Sequence, residues 1–454
     1  MRNLPERICA AALIVLGTAH FLWAYPVIKK IDFQLTRVSE NAVRARIPAK
    51  EGMEWSPELR NQTETALHDM RIFKSVSISE STGTANSVSL TIKGNDGWFV
   101  FPLPFYANGS GGQRLSLVLV EGNILKGAEN AFLFGSTGPG AKNLMLGFSR
   151  NKIFTSFMVF DEDYIERQFA DGSYSSPGFF NTSGDYDEAA KLGRQVNYYN
   201  RLRTGFRTNL FYQLTERLST GMSFDAIKTE YKNGIAALPA DGGQQNYLTM
   251  RLAYCPSGKK QGGRNFAQSF GALFGLGLSD LSQKLRPLSA TQYTRYYETY
   301  YSYGGPQTGS DFTFSEAGAG FSLQAELPQR HLISYRLKAI KGFGLPAGQY
   351  IPTNRPLSLI GTYAQEYRGA AGVGNSLSLA YYLSKSKRGL LAAEPFAEYA
   401  RIWDQSHPRS QTGAGINFYY RFWRFPLPLG LSYTYSFENK RSEVTATVGM
   451  AFRQ

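Results

Sequence analysis

The feature that most constrains this chain is an alternation of apolar with small or polar residues. It is renewed strand after strand from Gln113 to Gln454. Leu115, Leu117 and Leu119 share one face, as do Leu144, Leu146 and Phe148, and then Ile153, Phe157 and Val159. Between 316 and 327, Ala317, Ala319, Phe321, Leu323, Ala325 and Leu327 oppose Glu316, Gly318, Gly320, Ser322, Gln324 and Glu326. At the end, Val444, Ala446, Val448, Met450 and Phe452 oppose Glu443, Thr445, Thr447, Gly449 and Arg453. Successive residues of a strand point to opposite faces. Runs of about ten residues, apolar outward and small or polar inward, are the pattern of a transmembrane β-barrel strand. A soluble sandwich can show the same alternation with its apolar faces turned inward. The length of these strands, and the Tyr and Phe crowded at their ends, favour the barrel with its aromatic girdles.

The alternation predicts sixteen strands, near 113–122, 127–136, 142–151, 152–161, 193–214, 216–232, 244–255, 266–280, 289–303, 312–327, 331–343, 374–386, 389–403, 411–422, 427–438 and 443–453. An even number lets an antiparallel sheet close without leaving an edge in lipid. No apolar run in this region is long enough for a membrane helix, which needs ~20 residues. The 28 Tyr, 31 Phe and 46 Gly, with a mean hydropathy below zero, suit strands and turns better than helices.

One segment breaks the rhythm. From 342 to 361 it carries Gly342, Gly344, Pro346, Gly348, Pro352, Pro356 and Gly361, which neither a helix nor a strand accommodates. It ends on Tyr367-Arg368-Gly369. The strand after next contains Glu398, in phase with Phe396 and Ala400. A mid-strand carboxylate facing lipid costs several kcal/mol, so Glu398 is expected to face the lumen. A loop over about 344–373 that folds into the lumen would bring Arg368 to it, and a guanidinium takes a carboxylate bidentately. Gly369 leaves the tip free to approach the wall. The expectation is an Arg368–Glu398 pair.

The N-terminus reads differently. Residues 1–24 look like an export signal: Arg2 and Arg7, an apolar core from Ile8 to Leu16, and small residues that allow cleavage after Ala19 or Ala24. Only Cys255 then remains, and one cysteine makes no internal disulfide. Residues 25–95 read as a small α+β module: a strand at 27–35, a helix capped by Ser39, and a helix begun by Ser56-Pro57. Strands at 73–78 and 88–92 follow. Residues 96–112 read as a linker.

With these pieces in place, a resemblance becomes specific. Tyr367-Arg368-Gly369 resembles the Arg-Gly tip of the sixth extracellular loop of the Omp85 superfamily. FAEYARIWD (396–404) is similar to the acidic strand motif which that loop contacts. EGNILKGAENAFLF (121–134) is similar to the family's first hairpin, and residues 49–56 and 66–78 resemble a POTRA domain. The nearest branch is that of BamA and TamA, the bacterial surface antigen D15 type. Departures are Ala370 where an aromatic is usual, Glu398 for Asp, Ala400 for Gly, and a single POTRA-like module. The resemblance implies a mainly β fold: a 16-stranded antiparallel transmembrane β-barrel preceded by one POTRA domain, in the bacterial outer membrane with the module in the periplasm. It also implies insertion or export of unfolded outer-membrane or secreted protein substrates through a lateral seam between the first and last strands. On this chain the seam would involve Leu115, Leu117 and Leu119 with Val444, Val448 and Phe452. Outer-membrane lipids and periplasmic chaperones would be partners. A two-partner-secretion-type translocator is the alternative.

Other classes fit poorly. The formal charge of +14 is spread over alternating strands with no basic helix or patch, so nucleic acid is not expected as a partner. His20, His68, His331 and His407 form no metal-spaced pair, and HExxH and GxSxG are absent. The chain is read as a non-enzyme with no catalytic residue, cofactor or metal.

Overall fold

The computed structural model describes residues 25–448, except 71–72, 84–85, 97–99, 110–111, 123–129, 139, 151, 176–194, 216, 235–241, 257–292, 328–330, 347–348, 354, 362, 364, 386–388, 404–407 and 423–427. The expected export signal, the strand expected at 266–280 and Phe452 lie outside the described residues.

The N-terminal module has the order strand, helix, helix, strand, strand. Its elements are β1 (Val27–Leu35), helices Glu40–Arg44 and Pro57–Asp69, β2 (Phe73–Thr82) and β3 (Ser87–Asp96). The Ser39 hydroxyl accepts from the Ala42 N–H, and the Ser56 hydroxyl from Leu59, so each helix start has a side-chain cap. Pro57 occupies the first turn of the second helix, where its missing N–H costs nothing. The three strands form one sheet in the order β1-β3-β2, parallel between β1 and β3 and antiparallel between β3 and β2. Thr63 and Leu67 of the long helix are buried, and Leu67 joins Ile28, Ile31, Val43, Trp55, Leu90 and Ile92 in the core. Each such fully buried aliphatic contributes about 1.5–3 kcal/mol.

The rest of the described chain is a sixteen-stranded antiparallel sheet of barrel type. Its strands are β4 (Val100–Gly109), β5 (Gly112–Gly122), β6 (Asn130–Gly138), β7 (Ala141–Arg150), β8 (Ile153–Phe169), β10 (Gln195–Gln213), β11 (Leu218–Lys232) and β12 (Gly243–Tyr254). They continue with β13 (Tyr293–Gly304), β14 (Phe314–Glu326), β15 (Leu332–Phe343), β19 (Ala371–Lys385), β20 (Gly389–Trp403), β21 (Pro408–Phe422), β22 (Pro428–Ser436) and β23 (Arg441–Val448). Four two-residue strands decorate it: β9 (Tyr174–Ser175), β16 (Ile351–Pro352), β17 (Gln365–Glu366) and β18 (Arg368–Gly369). Neighbours in sequence pair in turn, and β23 meets β4 through Ala446–Val448 opposite Tyr106–Asn108.

The two faces of the sheet differ as the alternation requires. Leu115, Leu117, Leu144, Leu146, Ile153, Phe157, Met250, Leu252, Leu429, Leu431 and Val444 are all exposed outward. Between them sit buried polar groups that bond across strands: Ser116 to Ser136 (3.0 Å), Asn209 to Ser156 (3.2 Å) and Thr249 to Ser302 (2.8 Å). An apolar exterior over a polar interior is what hydrocarbon selects. Among the described residues no helix is long and apolar enough to cross a membrane.

One expectation needs correction. Residues 96–112 are not simply a linker, because β4 lies within them and is the first strand of the large sheet. Pro102 and Pro104 disguise it, since proline is rare inside strands. β12 pairs directly with β13 in the described ladder. Among the described residues the large sheet has sixteen ladder strands, β4 being one of them.

Candidate functional site

The segment between β15 and β19 leaves the ladder, although β15 and β19 pair with each other directly. It doubles back on itself: Ile351 pairs with Gly369 and Pro352 with Arg368. The Thr353 N–H donates to the Tyr367 carbonyl (2.8 Å), and the Tyr367 N–H to the Thr353 hydroxyl (2.9 Å). Leu345, Ile351, Leu357, Leu359 and Tyr363 are buried in one cluster with Phe314 of β14, Ile340 of β15, and Ala400 and Ile402 of β20. The loop therefore packs on the inner face of the sheet. Polar ties fasten it along its length. Gln349 donates to Gln245 of β12 (3.0 Å), Ser376 of β19 donates to the Ser358 carbonyl (2.9 Å), and the Thr353 hydroxyl donates to Gln411 of β21.

Glu398 is buried mid-strand on β20, opposite Ser376 and Gly413. Its carboxylate accepts from two successive backbone amides of the loop. Ile360 donates to one oxygen, and Gly361 lies 2.9 Å and 3.2 Å from the two. The Tyr363 hydroxyl donates as well. Consecutive amides aimed at one carboxylate form a small anion nest. The phenol fits because β21 presents Gly413 there; a Cβ at 413 would stand 1.8 Å from the Tyr363 oxygen.

Arg368 goes elsewhere. Its Nε and Nη2 each lie 2.8 Å from Glu366 Oε1, and its Nη1 lies 3.1 Å from both oxygens of Glu166 on β8. The Tyr174 ring of β9 lies 4.9 Å from the guanidinium carbon. Glu166 is also held by Arg201 of β10 (2.7 Å) and by the Tyr199 hydroxyl (3.1 Å). The side chains of Arg368, Glu166 and Glu366 are 7%, 2% and 1% exposed. Burial by itself would lower the Arg368 pKa, but Glu166 and Glu366 outweigh it and hold the guanidinium above its ordinary value. Burial pushes the Glu366 carboxyl up despite the opposing pull of Arg368. The backbone is stitched at the same place, where Gln365 pairs with Ser175 and Glu366 with Tyr174.

The structure thus brings the loop to Glu398 but does not bring Arg368 to Glu398. The expected pair is replaced by two separate fastenings. The reason is steric and local. Gly369 lies against Ile402 and the Trp403 carbonyl, where a Cβ would approach to 2.5–2.6 Å, so the tip sits at the end of β20 rather than at its middle. From there the guanidinium reaches β8. Tyr367 of the tip is buried. Sequence reasoning missed Glu166, Arg201, Glu366 and the Glu398 role of Tyr363. Glu366 could have been found two residues before Arg368. Glu166 stands 202 residues away and carries no local signal.

The residues expected at a seam are also redistributed. Leu115, Leu117 and Leu119 belong to β5, the second strand, with Leu115 and Leu117 exposed outward. Val448 of β23 pairs with Tyr106 of β4, and Val444 is exposed. The strands that meet are β4 and β23.

No protein-family model matches the chain, and no curated protein matches its sequence. Solved structures do match in fold. BamA from Haemophilus ducreyi lacking POTRA domains 1–3 aligns with a TM-score of 0.57 at 15% identity, over 93% of this chain and 84% of that one. CdiB from Escherichia coli aligns at 0.61 and 13%, over 94% and 76%. CdiB from Acinetobacter baumannii aligns at 0.52 and 10%, over 94% and 74%. At such identities the likeness is one of fold.

Proposed function

We propose that this chain is an Omp85-superfamily protein of a bacterial outer membrane. It assembles β-barrel proteins by offering the β4–β23 junction to an unfolded strand. The observation that carries this reading is the junction itself. There the last strand meets a first strand bearing Pro102 and Pro104, and proline supplies no donor to a ladder. A weakly held junction can open and pair with an incoming strand by β-augmentation. The fold likeness to BamA supports the reading, as does the buried Arg-Gly loop tip. The module at 27–96 is read as a periplasmic POTRA domain on its strand and helix order, receiving substrate before the sheet does. No bond-making chemistry is required.

A two-partner-secretion-type translocator is the second reading. It would pass one protein through the lumen, where the loop of 344–370 now lies, and so would need that loop to move. Depleting the protein and taking an inventory of outer-membrane and secreted proteins separates the two. Broad loss of outer-membrane β-proteins is expected. Loss of a single secreted protein would establish the translocator instead, and an unchanged inventory would overturn both.

A further inference from the structure

Two cations stand on the outward face of the sheet without an anion. Lys341 of β15 and Arg401 of β20 are exposed, in phase with the outward Leu337 and Phe343 on β15 and Trp403 on β20. Each side chain meets an aromatic ring instead. The Lys341 nitrogen lies 4.9 Å from the Phe343 ring centroid, and the Arg401 guanidinium carbon 5.7 Å from that of Trp403. Neither side chain makes an ion pair or a hydrogen bond among the described residues. Their outward neighbours add no acid. Lys341 is flanked by Ala317 and Ala371, Phe343 by Ser315, Arg401 by Val373 and Ser410, and Trp403 by Ala371 and Pro408. Glu438, in the turn after β22, accepts from the Thr412 N–H (2.6 Å) rather than pairing with Arg401. On β11, by contrast, the outward cations are matched: Glu230 lies 2.8 Å from Lys228 and 3.0 Å from Lys232.

Lys341, Phe343, Arg401 and Trp403 lie at the end of the wall where the loop of 344–370 leaves β15 and rejoins β19. Exposed aromatic rings bordering an apolar wall mark the level of lipid headgroups. A cation at that depth is costly unless it meets an anion, and a phosphorylated headgroup brings one. Strand spacing sets the backbones of Lys341 and Arg401 about 12 Å apart. Each side chain leans along its own strand toward the ring two residues on, not toward the other cation. A single phosphate, with contacts of about 3 Å, does not span that gap. We infer that this patch docks a lipid headgroup bearing two phosphates, one on Lys341 and one on Arg401. This rests on the outer-membrane reading above and adds a lipid site to it. On the inner face the next residues along, Ile340 and Ile402, pack against the loop. Lipid and loop therefore clamp β15, β19 and β20 from opposite sides.

The test reconstitutes the full chain into bilayers of zwitterionic phosphatidylcholine and titrates in lipid A carrying either two phosphates or one. Lipid retained after extraction is read by native mass spectrometry. The two-phosphate form is expected to be retained several-fold better than the one-phosphate form. Lys341→Gln with Arg401→Gln is expected to abolish that preference. Lys228→Gln with Lys232→Gln, which removes two matched cations, is expected to leave it intact. Equal retention of the two forms by the unaltered chain overturns the inference, and that comparison needs no variant to fold. So does an equal loss in both double variants, which would show a diffuse charge effect only. Displacement of the lipid by inorganic phosphate would reduce the patch to a simple anion site and overturn it as well. A chain that fails to enter the bilayers overturns the outer-membrane reading and the site with it. One that enters without preference overturns the lipid site alone.

Discussion

The loop is fastened at two places, and the two differ in kind. At the Glu398 end a wall carboxylate is met by backbone amides and a phenol, groups that carry no full charge. At the Arg368 end a buried guanidinium is met by two carboxylates, Glu366 and Glu166, with Arg201 balancing Glu166. The first arrangement satisfies a buried charge with dipoles, and the loop's own backbone conformation preorganises it. The second is a charge network, where losing one member leaves its neighbours unmatched in a buried site. The amide nest should therefore tolerate losses singly, whereas the network should fail as a unit.

The largest effect is expected at the network. Glu166→Ala leaves Arg368 and Arg201 sharing Glu366, and stranding a buried charge costs about 3–5 kcal/mol. The temperature at which the folded form converts to the unfolded one on an SDS gel should fall sharply, and an unchanged temperature would mean the network is wet. Glu398→Gln should cost less, about 1–3 kcal/mol, because the amide must leave at least one of its former donors without an acceptor. Gly413→Ala, read by the same conversion, is expected to cost about 1–3 kcal/mol by pushing the Tyr363 ring off its seat. If Gly413→Ala is silent, the phenol does not hold the nest together. Tyr363→Phe removes only the hydroxyl and should cost about 1 kcal/mol. The finest test is a pair of double-mutant cycles. Arg368→Ala with Glu166→Ala should show a coupling of about 0.5–3 kcal/mol, and Arg368→Ala with Glu398→Ala should be additive within about 0.5 kcal/mol. The opposite ranking would mean that Arg368 and Glu398 share one site after all.

Much of this was legible in the sequence. The period of two showed which residues face outward, because a strand has only two faces and hydrocarbon tolerates one kind of residue. The capping serines marked both helix starts in the module, because caps are local chemistry. Glu398 was readable as an inward carboxylate for the same reason as the outward leucines. The partner of Arg368 was not readable. Glu166 sits in the run Asp161-Glu162-Asp163-Tyr164-Ile165-Glu166-Arg167, where several carboxylates are equal candidates. The choice among them depends on where Gly369 comes to rest against Ile402 and Trp403. That is a property of packing between segments distant in sequence. β4 was missed because its prolines argue against a strand everywhere except at an edge, and edges are defined only once the whole sheet is assembled.

The pairing of β17 with β9 has a mechanical meaning. β8, from which β9 extends, and β20, which carries Glu398, are eight steps apart in the sixteen-strand order, whichever way round it is counted. The loop is tied to the first by main-chain hydrogen bonds at 174–175 and to the second by main-chain amides at 360–361. It therefore works as a crossbar rather than a flap. A load that draws those two walls apart stretches the loop, and a loop drawn aside at one end pulls the far wall with it.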